Sequence, residues 1–160
     1  RACRILGRPA SDIICVSMPG PGSSPRSVDI SERLAEICGC ELLTIDIGEA
    51  VRLHLRDIGH DGSHDHTFEN AQARERTQIL MDLSNFKDGI VVGTGDLSEL
   101  ALGFCTYNGD QMSMYSVNHS VPKTLARIML ETFAADLLTG TAGLRAPDHF
   151  FPEASPSTHG

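Results

Sequence analysis

Tryptophan is missing from this chain, and six Phe and two Tyr leave aromatics at only 5% of its 160 residues. A core built from such a sequence must be mostly aliphatic. Positive charge is also scarce, with 13 Lys and Arg against 21 Asp and Glu, a formal net charge of −8. That balance argues against a nucleic-acid surface or an anionic-membrane surface, because both need cations to meet phosphates. No apolar run approaches the roughly 20 residues that span a bilayer, and no secretory signal pattern is expected. Cysteine occurs, but in a pattern that excludes its commoner roles. Cys3, Cys15, Cys38, Cys40 and Cys105 are odd in number and sit mostly in apolar segments, as buried free thiols do. Cys38-Gly39-Cys40 has the wrong spacing for a zinc knuckle, and no second pair completes a site. A reducing, cytoplasmic setting is the expectation.

What is present belongs to a globular protein: 41% hydrophobic and 21% charged residues. A chain of this length is most simply one domain, burying roughly 68–70% of its unfolded surface. An acidic protein can still bind a phosphorylated small molecule if a metal ion, a few placed cations or helix N-termini meet the phosphates.

Along the chain, "RACRILGRPASD" reads as the last turns of a helix, stopped by Gly7 and Pro9, as though its beginning lay upstream. "DIICVSMPG" predicts a buried strand, and "PGPGSSPRS" (19–27) a loop of breakers. Ile30, Leu34 and Ile37 recur at helical spacing before Gly39, and "ELLTIDI" (41–47) predicts a second strand. A short helix follows, then a polar loop at 60–67 and a long helix over 68–86 with Ala71, Ile79, Leu80 and Leu83 inward. "GIVVGT" predicts a third strand, residues 98–104 a helix, and Pro122 opens the last helix at its first position. Residues 141–160 lose all periodicity and are expected to form an irregular tail. Alternating strands and helices, with continuously apolar strands, predict an α/β parallel sheet covered by helices on both faces.

Ligands of such sheets bind at the carboxyl ends of the strands, which directs attention to "SMPG" and to "GTGD" at 93–96. The latter is no dinucleotide fingerprint, since it lacks the GxGxxG spacing. By themselves Asp96 or Ser98 suit a helix N-cap and Glu99 a first-turn acid. Asn70 and Arg74, four apart in "ENAQARER", also suit a solvated helix face, and Lys123 an ordinary helix start. Three His and an Asp at 60, 64, 65 and 66 could be taken for a metal site, but on a loop with no fixed scaffold such a group is more often simply polar.

Three segments change that balance: "TFENAQARERTQILMDLSN" (67–85), "GIVVGTGDLSELALGFCTYNGDQMSMYSVN" (89–118) and "VPKTLARIM" (121–129). Together they resemble the synthetase domain of the glutamine-dependent NAD synthetases. The resemblance implies a Rossmann-like parallel sheet of the adenine nucleotide alpha hydrolase type. It also implies ATP-dependent amidation of deamido-NAD to NAD through an acyl-adenylate, with release of pyrophosphate and AMP. Carried over position by position, Thr94 and Lys123 would contact ATP, and Glu99 would lie by the substrate and ligate Mg2+. Asn70, Arg74, Phe104, Cys105, Thr106 and Tyr107 would line the deamido-NAD pocket with Glu99. Ammonia would come from a glutaminase domain not in these 160 residues, and a homo-oligomer is expected. The family's Ser-Gly-Gly-x-Asp-Ser loop, which cradles pyrophosphate, would fall before residue 1. On that reading residues 1–140 are a partial synthetase domain, and negligible activity is expected of the chain alone. The alternatives are a non-catalytic nucleotide-binding or dimerisation module, and another ATP pyrophosphatase such as a GMP synthetase.

Overall fold

The computed structural model describes residues 2–140. The tail expected at 141–160 lies outside them.

Local chemistry sets most element boundaries. After a short helix α1 (Ala2–Ile5), Gly7 takes φ +64°, and one 3-10 turn (Ala10–Asp12) leads into β1 (Ile14–Ser17). Helix α2 (Pro25–Cys38) starts earlier than its apolar periodicity predicts, inside the expected 19–27 loop. Ser24 accepts the Ser27 amide at 3.2 Å, and Pro25 fills the first turn, where a missing N–H costs nothing. Gly39 ends α2 in the left-handed region at φ +68°. Strand β2 (Glu41–Thr44) is followed by α3 (Gly48–Asp57) and α4 (His66–Phe86). Helix α4 opens two residues before the predicted start because Asp65 caps the Phe68 amide at 3.0 Å. Then come β3 (Val92–Gly93), α5 (Leu97–Leu102), β4 (Tyr115–Ser116) and α6 (Lys123–Gly140).

The strands pair in parallel, as expected, but in two separate two-stranded sheets. Ile14 lies opposite Glu41 and Ser17 opposite Thr44, while Val92 lies opposite Tyr115. The third strand is two residues long, not the six residues of "GIVVGT" expected to form it. Its first half is consumed by the exit from α4, where Asp88 takes φ 52° and the Gly89 amide returns to the Ser84 carbonyl at 2.8 Å.

The buried core sits at the seam of α3 and α4: Ile47, Val51 and Leu55 against Phe68 and Ala71, with Met18 and Ile79 packed onto them. Each such side chain, fully buried, contributes roughly 1.5–3 kcal/mol. Ile30, Leu34 and Ile37 of α2, apolar at helical spacing, stay exposed, and only Ala35 of that helix is buried among the described residues. A two-stranded ribbon is about as wide as one helix, so it cannot cover a full apolar stripe. Among the described residues no helix is long and apolar enough to cross a membrane.

Candidate functional site

At the tip of β3 the chain turns through Thr94 and Gly95 into α5. Asp96 and Glu99 form a capping box: the Glu99 amide donates to Asp96 Oδ1 at 2.9 Å and the Asp96 amide to Glu99 Oε2 at 3.2 Å. Glu99 Oε1 accepts from Lys123 Nζ at 2.8 Å, and the same ammonium stands 3.8 Å from Asp96 Oδ2. Two further bonds lock the start of α6 to α5, Leu97 N to the Val121 carbonyl at 3.1 Å and Lys123 N to Ser98 Oγ at 3.1 Å. The hydrogen bond to Glu99, reinforced by its charge and that of Asp96, raises the Lys123 pKa above its usual value. Lys123 is two-thirds exposed, so its ammonium can swing from Glu99 to an incoming phosphate. Thr94 is exposed beside this group.

For Mg2+, the local donor set is the carboxylates of Glu99 and Asp96. Among the described residues no cluster of three ligating side chains exists. Mg2+ prefers oxygen donors, and one or two carboxylates with phosphates and water would complete its shell. Glu99 Oε1 is the oxygen that departure of Lys123 would free.

A second group surrounds the middle of α4. Asn70 Oδ1 accepts from Thr106 Oγ1 at 2.9 Å, and Arg74 Nε donates to the Tyr107 carbonyl at 3.2 Å. Cys105 is half-buried with its thiol on Gln111 Oε1 at 3.2 Å, which suits a wall residue and not a nucleophile. The Phe104 and Tyr107 rings are exposed. Glu99 and this segment are joined through the end of α5, where the Phe104 amide bonds the Glu99 carbonyl at 2.8 Å. The structure thus brings together Glu99 with Lys123, and Asn70 and Arg74 with Thr106 and Tyr107.

Two residues of α4 were not singled out by the sequence reading. Gln72, 1% exposed, accepts the Gly22 amide on Oε1 at 3.1 Å and donates Nε2 to the Phe68 carbonyl at 3.3 Å. Arg76 donates Nε to the Met18 carbonyl at 3.0 Å and Nη2 to Ser23 Oγ at 3.4 Å. Burial lowers the Arg76 pKa, against the opposing charges of Glu69 and Asp110. The signal was available: Phe68, Gln72, Arg76 and Ile79 follow each other at helical spacing, so two polar residues stand in an inward stripe.

The 60–66 segment is a structural staple. His60 Nε2 pairs with Asp65 Oδ1 at 3.1 Å and its Nδ1 lies 3.0 Å from the Gly62 amide. A cleft of about 360 Å³ opens there between α3 and the start of α4, lined by Arg52, Arg56, His60, His64 and Phe68 among others. Its lining includes neither Glu99 nor Lys123.

The family described as NAD synthase matches residues 2–142. The glutamine-dependent NAD(+) synthetase of Mycobacterium tuberculosis (strain ATCC 25618 / H37Rv) is 48% identical over 130 residues, 78% of this chain and 19% of the relative. That of Mycobacterium leprae is 45% identical over 136 residues, 81% of this chain and 20% of the relative. The chain therefore spans about a fifth of the length of these curated relatives. A solved glutamine-dependent NAD+ synthetase from Acinetobacter baumannii, in complex with ADP, superposes with a TM-score of 0.74 at 30% identity, over 87% of this chain and 28% of that one. The α/β architecture expected from the sequence is thus the one found. With the family matched over residues 2–142, the chain belongs to the NAD synthase family.

Proposed function

We propose that these residues form part of a site that makes NAD by ATP-dependent amidation of deamido-NAD. A carboxylate has no leaving group, so the chemistry needs an activation step first. The carboxylate oxygen of the nicotinate ring attacks the α-phosphorus of ATP, and pyrophosphate leaves. Ammonia then attacks the acyl carbon, and AMP departs with the carboxylate oxygen. The protein's part is mainly positioning and charge neutralisation.

The observation that carries this reading is the contact of Lys123 Nζ with Glu99 Oε1 at 2.8 Å, at the carboxyl end of a parallel strand. In the proposed site Lys123 transfers to the phosphates, and the freed Glu99 helps to hold Mg2+, which would neutralise phosphate charge. Thr94 lies on the ATP side. Asn70 and Arg74, with Glu99 and the 104–107 segment (Phe104, Cys105, Thr106, Tyr107), take the deamido-NAD side. The names of the relatives support glutamine as the source of ammonia, through a glutaminase domain outside these residues. A reducing, cytoplasmic setting and a homo-oligomer complete the reading. A second reading, a nucleotide-binding or assembly module without turnover, is favoured by the two unjoined strand pairs.

Calorimetric titration with ATP and Mg2+ tests the first. Lys123→Met should weaken ATP at least ~10-fold, the value of one charge-assisted hydrogen bond. Equal affinity in the variant and the parent would sink the assignment. Adding deamido-NAD and ammonium and measuring NAD then separates turnover from binding alone.

A further inference from the structure

The loop that leaves β1, residues 18–23, is fastened almost atom by atom. The Gly20 amide donates to Ser23 Oγ at 2.9 Å, the Ser23 amide returns to the Gly20 carbonyl at 2.9 Å, and the Pro19 carbonyl takes the Ile47 amide at 2.9 Å. Further bonds come from α4: Gln72 takes the Gly22 amide, and Arg76 takes the Met18 carbonyl and Ser23 Oγ. The loop also presses on Gln72, since a Cβ at Gly20 would lie 2.9 Å from Gln72 Oε1 and 3.0 Å from Ile47 Cγ1. A Gln that is 1% exposed at an inward helix position forgoes apolar packing there. Burying its amide is tolerable only because both ends are satisfied. The loop stands at the carboxyl end of β1, the side on which open parallel sheets receive ligands.

We propose that Gln72 and Arg76 are positioning residues that hold the 18–23 loop in the shape that walls the nucleotide site. They touch no reacting atom in this role. Asn70 and Arg74, two positions earlier on the same helix, hold the 104–107 segment in the corresponding way. Helix α4 therefore sets the spacing between the two loops. The proposal rests on the nucleotide-site reading above, and the test separates the two.

The measurement is amide hydrogen exchange at Gly22 in the 160-residue chain, alongside titration with ATP and Mg2+. In the parent chain, Gly22 should exchange at least ~100-fold more slowly than a free peptide amide. Gln72→Met, which keeps the volume and removes the acceptor, should lose most of that protection and weaken ATP ~10-fold. Gln72→Glu keeps the acceptor for Gly22 but, when ionised, has no donor for the Phe68 carbonyl, so it should recover both only in acid, where the carboxyl is protonated. Arg76→Lys, which keeps the charge but not the planar fork, should loosen the loop and weaken ATP with the melting temperature nearly unchanged. Rapid exchange of Gly22 in the parent would overturn the clamp even if every variant failed to fold. A loosened loop with unchanged ATP affinity would overturn its role in binding. If the parent binds no ATP, the nucleotide-site reading fails, while Gly22 exchange still decides whether the clamp exists.

Discussion

Lys123 is held by charge on a mostly exposed side chain, so its value to binding and its value to stability separate. Exposed ion pairs are worth about 0–1 kcal/mol, because water screens them and ordering a long side chain opposes them. Lys123→Met should therefore leave the unfolding free energy within that margin of the parent, checked by urea denaturation. By spacing alone Lys123 reads as an ordinary helix start and Glu99 as a first-turn acid, and only the resemblance carried by "GTGDLSE" and "VPK" points to them. Gln72 and Arg76 were harder to see. Their spacing placed them on the inner stripe, but polarity alone made "ENAQARER" look like an outer face, and only the long-range partners Gly22 and Met18 correct that.

At the scale of the element, α4 depends on how it begins. Asp65 caps the Phe68 amide and receives His60 Nε2, and the pKa of its carboxyl is lowered from the usual 3.8 by the Phe68 amide first, then by His60. A depressed carboxylate pKa stabilises the fold above the unfolded value, and that contribution disappears as pH falls through the folded one. Asp65→Ala should lower the melting temperature at neutral pH. Its difference from the parent should shrink as pH drops below about 4 and vanish in stronger acid, a trend that thermal melts across pH can follow. Helix periods survived from sequence to structure with starts shifted by a few residues, because capping side chains such as Ser24 and Asp65 set the first turn. Strand extents did not. An apolar run gives no sign of how many of its residues will find a hydrogen-bonding neighbour, and "GIVVGT" yields only Val92 and Gly93.

Across the whole molecule, apolar surface remains uncovered on several sides. Phe86, Leu102 and Phe104 are each more than 80% exposed, and Ile90, Val92 and Tyr115 more than half. Dispersed single apolar side chains are ordinary, but a set of this size favours association. The chain should sediment as species heavier than 17.3 kDa, with a fraction that grows with concentration; a single concentration-independent monomer would contradict this. Parallel pairing was readable from the alternation of elements, whereas its division between two sheets was not, since hydrogen-bond partners lie far apart in sequence. The four anchors on α4 carry one more implication. Each residue advances a helix by about 100°, so inserting a single alanine between Phe68 and Asn70 would rotate every anchor off its loop simultaneously. This helix should accept many changes of letter, and almost none of length.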